Sequence, residues 1–322
     1  MRTTMNNSIH LQRTFRCFPC AGLALALALH ASFAVSAEET GKVFATPEEA
    51  VAALACAARA CDAEALRALF GPAAEEVQNP DRVQATNELQ TFSAALGQAK
   101  RLARDSATCC TLEVGAEFWP FPIPLVMRDG KWFFDTEAGK DELLNRRVGR
   151  NELMTLSAVR AYVEAQREYA AKDRDGDEVL EFAQKFFSKP GLKDGLYWPP
   201  ELDGEISPLG PLAAQAQSEG YGVAAKGEGA APEPFHGYFF KVLTRQAKSA
   251  PGGKYGYIIN GNMIGGFALA AWPASYGETG VMTFIVNQQG RVYQKDLGAG
   301  TAKSAAGMKA YDPDKTWTVS PD

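Results

Sequence analysis

The chain has 322 residues, 46% hydrophobic, 22% charged and 10% aromatic, with a formal net charge of −5. Those proportions describe a globular protein of roughly two domains. They exclude a polybasic nucleic-acid binder, because an acidic surface repels phosphate backbones.

The first 37 residues read as a leader. Arg2, Arg13 and Arg16 precede an apolar run, Ala21 to Leu29, that ends in the small-residue sequence Val35-Ser36-Ala37, the build of a secretory signal peptide. The run is shorter than the roughly 20 residues a bilayer span needs, so cleavage after Ala37 is expected, with a periplasmic or secreted product and no membrane span left. His10 and His30 leave with it, and His236 becomes the sole histidine. Four cysteines remain, Cys56, Cys61, Cys109 and Cys110, and an exported protein allows them to pair. A link from Cys56 or Cys61 to Cys109 or Cys110 is expected.

Residues 38–136 read as an N-terminal α+β unit. Thr46-Pro47-Glu48-Glu49 opens a helix with a capping hydroxyl, a first-turn proline and two carboxylates at the positive end of the dipole. Val51, Leu54 and Ala58 give it an apolar stripe. Asp62 caps a second helix that Gly71-Pro72 ends, and a third runs from about Val83 to Lys100. The period then drops to two in Cys110, Leu112 and Val114, and Arg128-Asp129-Gly130-Lys131 sits between two apolar runs as a hairpin. Short helices and a curved antiparallel sheet follow from this order.

Residues 137–150 read as a linking helix, hinged near Gly149, before a second helix capped by Asn151 and striped by Leu153, Leu156, Val159, Tyr162, Val163 and Tyr169. A short apolar helix with Phe182, Phe186 and Phe187 comes next, then Gly- and Pro-rich coil over 190–234. Strands are expected at Tyr238–Thr244, Met263–Trp272, Val281–Asn287 and Arg291–Lys295, with a turn at Gln288-Gln289-Gly290. The economical reading of 151–322 is a helix packed on an antiparallel sheet, and the fold class of the whole is α+β.

Several segments resemble one family. Trp119 to Val126, Asn145 to Leu153, Ala165 to Tyr169, Asp194 to Pro199, Ser207 to Leu212, His236-Gly237-Tyr238 and Gly280 to Phe284 are together similar to exported bacterial proteins catalogued as domain of unknown function 2950. The resemblance spans about Phe44 to Trp317 and implies no activity. Asn151-Glu152-Leu153, Gly265 to Ala268, Trp272-Pro273 and Thr279-Gly280 also resemble the globular part of pilins and pseudopilins, which implies a helix wrapped by an antiparallel sheet. The opening helix pair and Pro124 to Trp132 resemble nuclear transport factor 2-like domains.

Three groups of residues carry candidate chemistry. Asp173, Asp175 and Asp177 alternate like the ligands of a short calcium loop, although Glu178 stands where such a loop has glycine and Gln184 where it has a bidentate glutamate; a solvated turn is the alternative. Calcium is the one cofactor the chain suggests. Tyr197 and Trp198 offer flat rings that stack on sugars, and Asp194, Asp203 and Glu205 lie close enough in sequence to supply the carboxylate pair of glycoside hydrolysis. The other reading makes the rings core and the acids solvated. His236 is the remaining acid–base candidate. No P-loop, dinucleotide fingerprint, G-x-S-x-G elbow or H-E-x-x-H is present. The balance favours a non-enzymatic binding or envelope-associated protein, its partner an envelope component or glycan rather than nucleic acid. The alternative is a hydrolase of a cell-wall polymer.

Overall fold

Capping and burial together explain where the first helices begin and what they cover. In the computed structural model, which describes residues 40–174, 176–200, 204–222 and 233–321, Thr46 accepts the Glu49 amide and starts α1 (Pro47–Ala60). Asp62 accepts the Ala65 amide and starts α2 (Ala63–Phe70). Asp81 accepts the Gln84 amide and starts α3 (Arg82–Gln98). Each cap satisfies an amide that has no partner within its helix. Ala50, Val51, Leu54, Ala57 and Ala58 are buried along one face of α1, which packs against α2, α3 and the first sheet.

That sheet is antiparallel and built from β1 (Lys100–Arg104), β2 (Cys109–Val114), β3 (Trp119–Pro120), β4 (Leu125–Arg128) and β5 (Lys131–Phe134), in the order β1-β2-β4-β5, with β3 also on β2. Cys110, Leu112 and Val114 face the core and their neighbours do not, as period-two spacing requires. Asp129 (φ 52°) and Gly130 (φ 72°) close the β4–β5 hairpin. Positive φ at both centres is the geometry that matches the twist of the strands. Leu54, Leu96, Leu112, Leu125, Trp132 and Phe134 form this core, each such burial contributing about 1.5–3 kcal/mol before the entropy cost.

Asp135 caps α4, which runs unbroken for 34 residues, Thr136–Tyr169. Two helices hinged near Gly149 were expected, and Asn151 is an interior residue rather than a cap. Gly149 keeps a helical backbone with open space beside it, and one glycine costs only about 1 kcal/mol inside a helix, which packing at both ends outweighs. The second half of α4 buries Leu156, Val159, Tyr162, Val163 and Tyr169 against a second core.

Two further expectations change after α4. Residues 182–188 are not helical: Phe182 donates its amide to Met263 O, Tyr197 donates to Phe186 O, and Ser188 donates to Tyr197 O. Their backbone finds partners across the chain, and Phe182 and Phe186 still pack on the core. The coil expected over 190–234 contains α5 (Gly210–Ser218), with Pro211 in its first turn and Ala213 and Ala216 buried.

The second sheet contains β6 (Tyr238–Leu243). Small pairs follow, β7 (Arg245–Gln246) with β8 (Tyr255–Gly256) and β9 (Ile258–Ile259) with β10 (Asn262–Met263). Asn260-Gly261 forms the β9–β10 turn, so the strand expected from Met263 begins at Ala268. β11 (Ala268–Pro273), β12 (Met282–Asn287), β13 (Tyr293–Asp296) and β14 (Thr318–Val319) complete an antiparallel sheet in the order β14-β13-β12-β11-β6. All six residues of β11 are buried, since α4 and α6 (Thr301–Ala306) both pack on it.

Candidate functional site

Of the residues singled out for sugar binding and hydrolysis, Trp198 and Glu205 lie together just past the end of α4, and Asp194 and Tyr197 are close to them in the chain. The Glu205 carboxylate accepts from Lys172 Nζ (2.8 Å), Arg174 Nη1 (2.8 Å) and Lys193 Nζ (2.6 Å). Donation from Lys172, then Lys193, with Arg174 adding its charge, holds its pKa down at about 2. Burial alone would raise Asp194, but donation from Lys185 Nζ at 2.5 Å and from the Lys189 amide leaves it below the usual carboxylate range. Trp198 is 1% exposed; its indole donates to Glu205 O, and Arg174 and Lys193 lie over its ring at 5.2 and 5.4 Å. Tyr197 is half-buried, its ring edge-on to Phe187. Asp203 lies outside the described residues.

The aspartate loop and the cysteines are placed as follows. Asp173 accepts the amides of Gly176 and Glu178, while Asp177 accepts the Val179 amide and the Asn262 side chain. Asp175 lies outside the described residues, and among those described no three carboxylate, thiol or imidazole groups gather as a metal set. All four cysteines are free thiols, so the expected cross-link is not made. Cys110 is buried, and the charge on α1 that bears on it is Glu48, in the first turn. Cys56 and Cys61 are exposed, off the face of α1 that Ala50, Val51, Leu54, Ala57 and Ala58 bury against the core, whereas Cys110 points into that core.

A different place gathers the densest buried polar network among the described residues: the seam between the two cores, at the middle of α4. The buried face of α4 there is polar, Arg147, Asn151 and Thr155. Arg147 donates to the carbonyls of Val77 and Gln78, and burial lowers its pKa. Gln84 Nε2 donates to Asn151 Oδ1 (2.6 Å), and Asn151 Nδ2 donates to Thr279 O (2.9 Å). Glu152 accepts the amides of Val281 and Met282 at 2.9 Å.

Asp81 joins the elements of the seam. Beyond capping α3, its Oδ2 accepts from Tyr221 Oη (2.8 Å) and from the Gly237 amide (3.1 Å), and burial, then Asp81, raises the Tyr221 pKa. His236 sits beside it, 8% exposed, with left-handed φ 48°. Its Nε2 is 3.0 Å from Glu219 Oε2 but without the alignment of a hydrogen bond. Burial lowers its pKa more than Glu219 and Asp81 raise it. Gly237 follows with φ 73°, and a Cβ there would lie 2.7 Å from Asn151 Nδ2 and 2.8 Å from Thr279 Cβ.

Of the residues in this seam, sequence reasoning singled out His236 as an acid–base candidate and missed Asp81, Gln84, Glu219 and Tyr221. Asn79-Pro80-Asp81 carried a helix-start signal, but a cap does not announce its second set of partners. Segments that carried the family resemblance do converge here: Asn145–Leu153, His236–Tyr238 and Gly280–Phe284.

No curated protein and no solved structure matches the chain. One family does, described as Protein of unknown function (DUF2950), over residues 41–319. With both cores and the seam inside that span, the chain belongs to the DUF2950 family.

Proposed function

We propose that this is an exported, non-enzymatic binding or envelope-associated protein, acting on the outer side of the membrane after loss of residues 1–37. The observation that carries the reading is the state of Glu205. A glycosidase acid needs a carboxyl with a raised pKa beside a second carboxylate, whereas Glu205 is held ionised by three cations. Trp198, the best sugar platform in the sequence, is spent as core. The pseudopilin-like reading of 151–322 draws support from α4 lying on β11 and β12.

The test uses purified cell-wall polymer. The protein is expected to co-sediment with it and release no reducing ends. Release of reducing ends that Glu205→Gln or Asp194→Asn abolishes would install the hydrolase in its place, and absence of any co-sedimentation would remove the glycan partner.

A further inference from the structure

We propose that His236 is an acid-sensing latch: a proton taken up by its buried ring releases the hold of Asp81 on Tyr221 and Gly237 and loosens the seam between the two cores.

The geometry sets this up. The ring is confined between Phe235 (4.3 Å between centroids) and Tyr221 (5.3 Å). Its Nε2 is buried and has no aligned acceptor. The charged and titratable groups around it come from every neighbouring element: Glu219 at the end of α5, Tyr221 just beyond, Asp81 at the start of α3, and Arg150 from α4. Arg150 is paired with Glu88 of α3, and Arg147 and Glu278 lie next outward. A neutral imidazole fits this setting. An imidazolium has two donors to satisfy, and a buried charge without aligned partners is costly.

The cheapest relief is local. Asp81 and Glu219 are both drawn to a charged ring, and Asp81 is what ties Tyr221 and the Gly237 amide to α3. Turning toward the ring costs those two bonds and admits water between the segment after α5 and the start of β6. The sign follows from linkage. Burial leaves the ring harder to protonate in the closed seam than in an open one, so closure is fully favoured above pH 6.5 and weakens as pH falls below it. At pH 5.5, one unit under the ordinary histidine value, the open fraction rises by up to about tenfold. An exported protein meets the pH of its surroundings; that relevance rests on the proposed location, and the test does not.

The experiment is hydrogen exchange of the full chain at pH 7.5 and 5.5, corrected for intrinsic rates and read at the Gly237 amide. It is paired with NMR titration of the imidazole signal that His236→Gln lacks. Exchange is expected to rise, by up to about tenfold, in the wild type and to stay flat in His236→Gln, with an imidazole midpoint below 6.5. Glu219→Gln, which keeps the shape and removes the nearest negative charge, is expected to move that midpoint lower. An unchanged Gly237 rate, an equal rise in His236→Gln, or a midpoint that ignores Glu219→Gln would each overturn the latch.

Discussion

Glu205 shows what a single side chain does when neighbours claim it. Three charge-assisted hydrogen bonds meet on one carboxylate, and each such bond contributes about 1.5–3 kcal/mol when well placed, less where solvent reaches it. Glu205→Gln is expected to cost about 1–3 kcal/mol at pH 7 in denaturant unfolding. Its folded pKa, about 2, lies below the ordinary 4.5. The contribution is therefore complete above 4.5 and fades as pH falls toward 2; wild type and variant should converge over that window. Thiol titration of the unfolded, unreduced protein reads the other residue-scale outcome: all four cysteines of the mature chain react.

At the scale of elements, two glycines separate permissive from obligatory positions. Gly149 lies in a continuous helix, with nothing within 4 Å of the point an alanine methyl would occupy, so Gly149→Ala is expected to raise stability by about 0.5–1 kcal/mol. A hinge would make the same change neutral or harmful. Gly237 has φ 73° and no room, and Gly237→Ala is expected to cost about 2–4 kcal/mol by combining left-handed strain with overpacking. Thermal unfolding ranks the two variants in opposite directions from wild type. The 182–188 segment carries a related lesson. Its phenylalanines advertised burial correctly, but closely spaced apolar residues satisfy a helix or an extended segment equally, and partners at Tyr197 and Met263 decided the matter.

For the molecule as a whole, export is the prediction with the widest reach. The Arg-bearing start, short apolar run and Val35-Ser36-Ala37 should be removed, and intact mass of protein recovered outside the cytoplasm should begin at Glu38. Retention of residues 1–37 in the native host would refute this. Once they are gone, His236 is the only histidine, which makes the chain's titration between pH 5 and 7 report largely on the seam.

How much of this was legible in the sequence depends on distance along the chain. Thr46, Asp62 and the Asp129-Gly130 turn act on amides or strands within a few residues, and their roles were readable because capping and turn chemistry are local. The alternation of Cys110, Leu112 and Val114 and the stripe of α4 from Leu156 to Tyr169 were readable for the same reason, since periodicity records which face is dry, whereas Leu153, expected in that stripe, is exposed. The α+β class and the helix-on-sheet arrangement followed from those patterns. The seam did not. Asp81 meets Tyr221 and Gly237 across more than a hundred residues, and Gln84 meets Asn151 across 67. Glu205 is held in a salt-bridged cluster because the chain just past α4 brings Lys172 and Arg174 to it. Local chemistry determined the elements; only folding, by desolvating polar groups that are distant in sequence and making each supply the other's hydrogen bonds, decided which of them form a site.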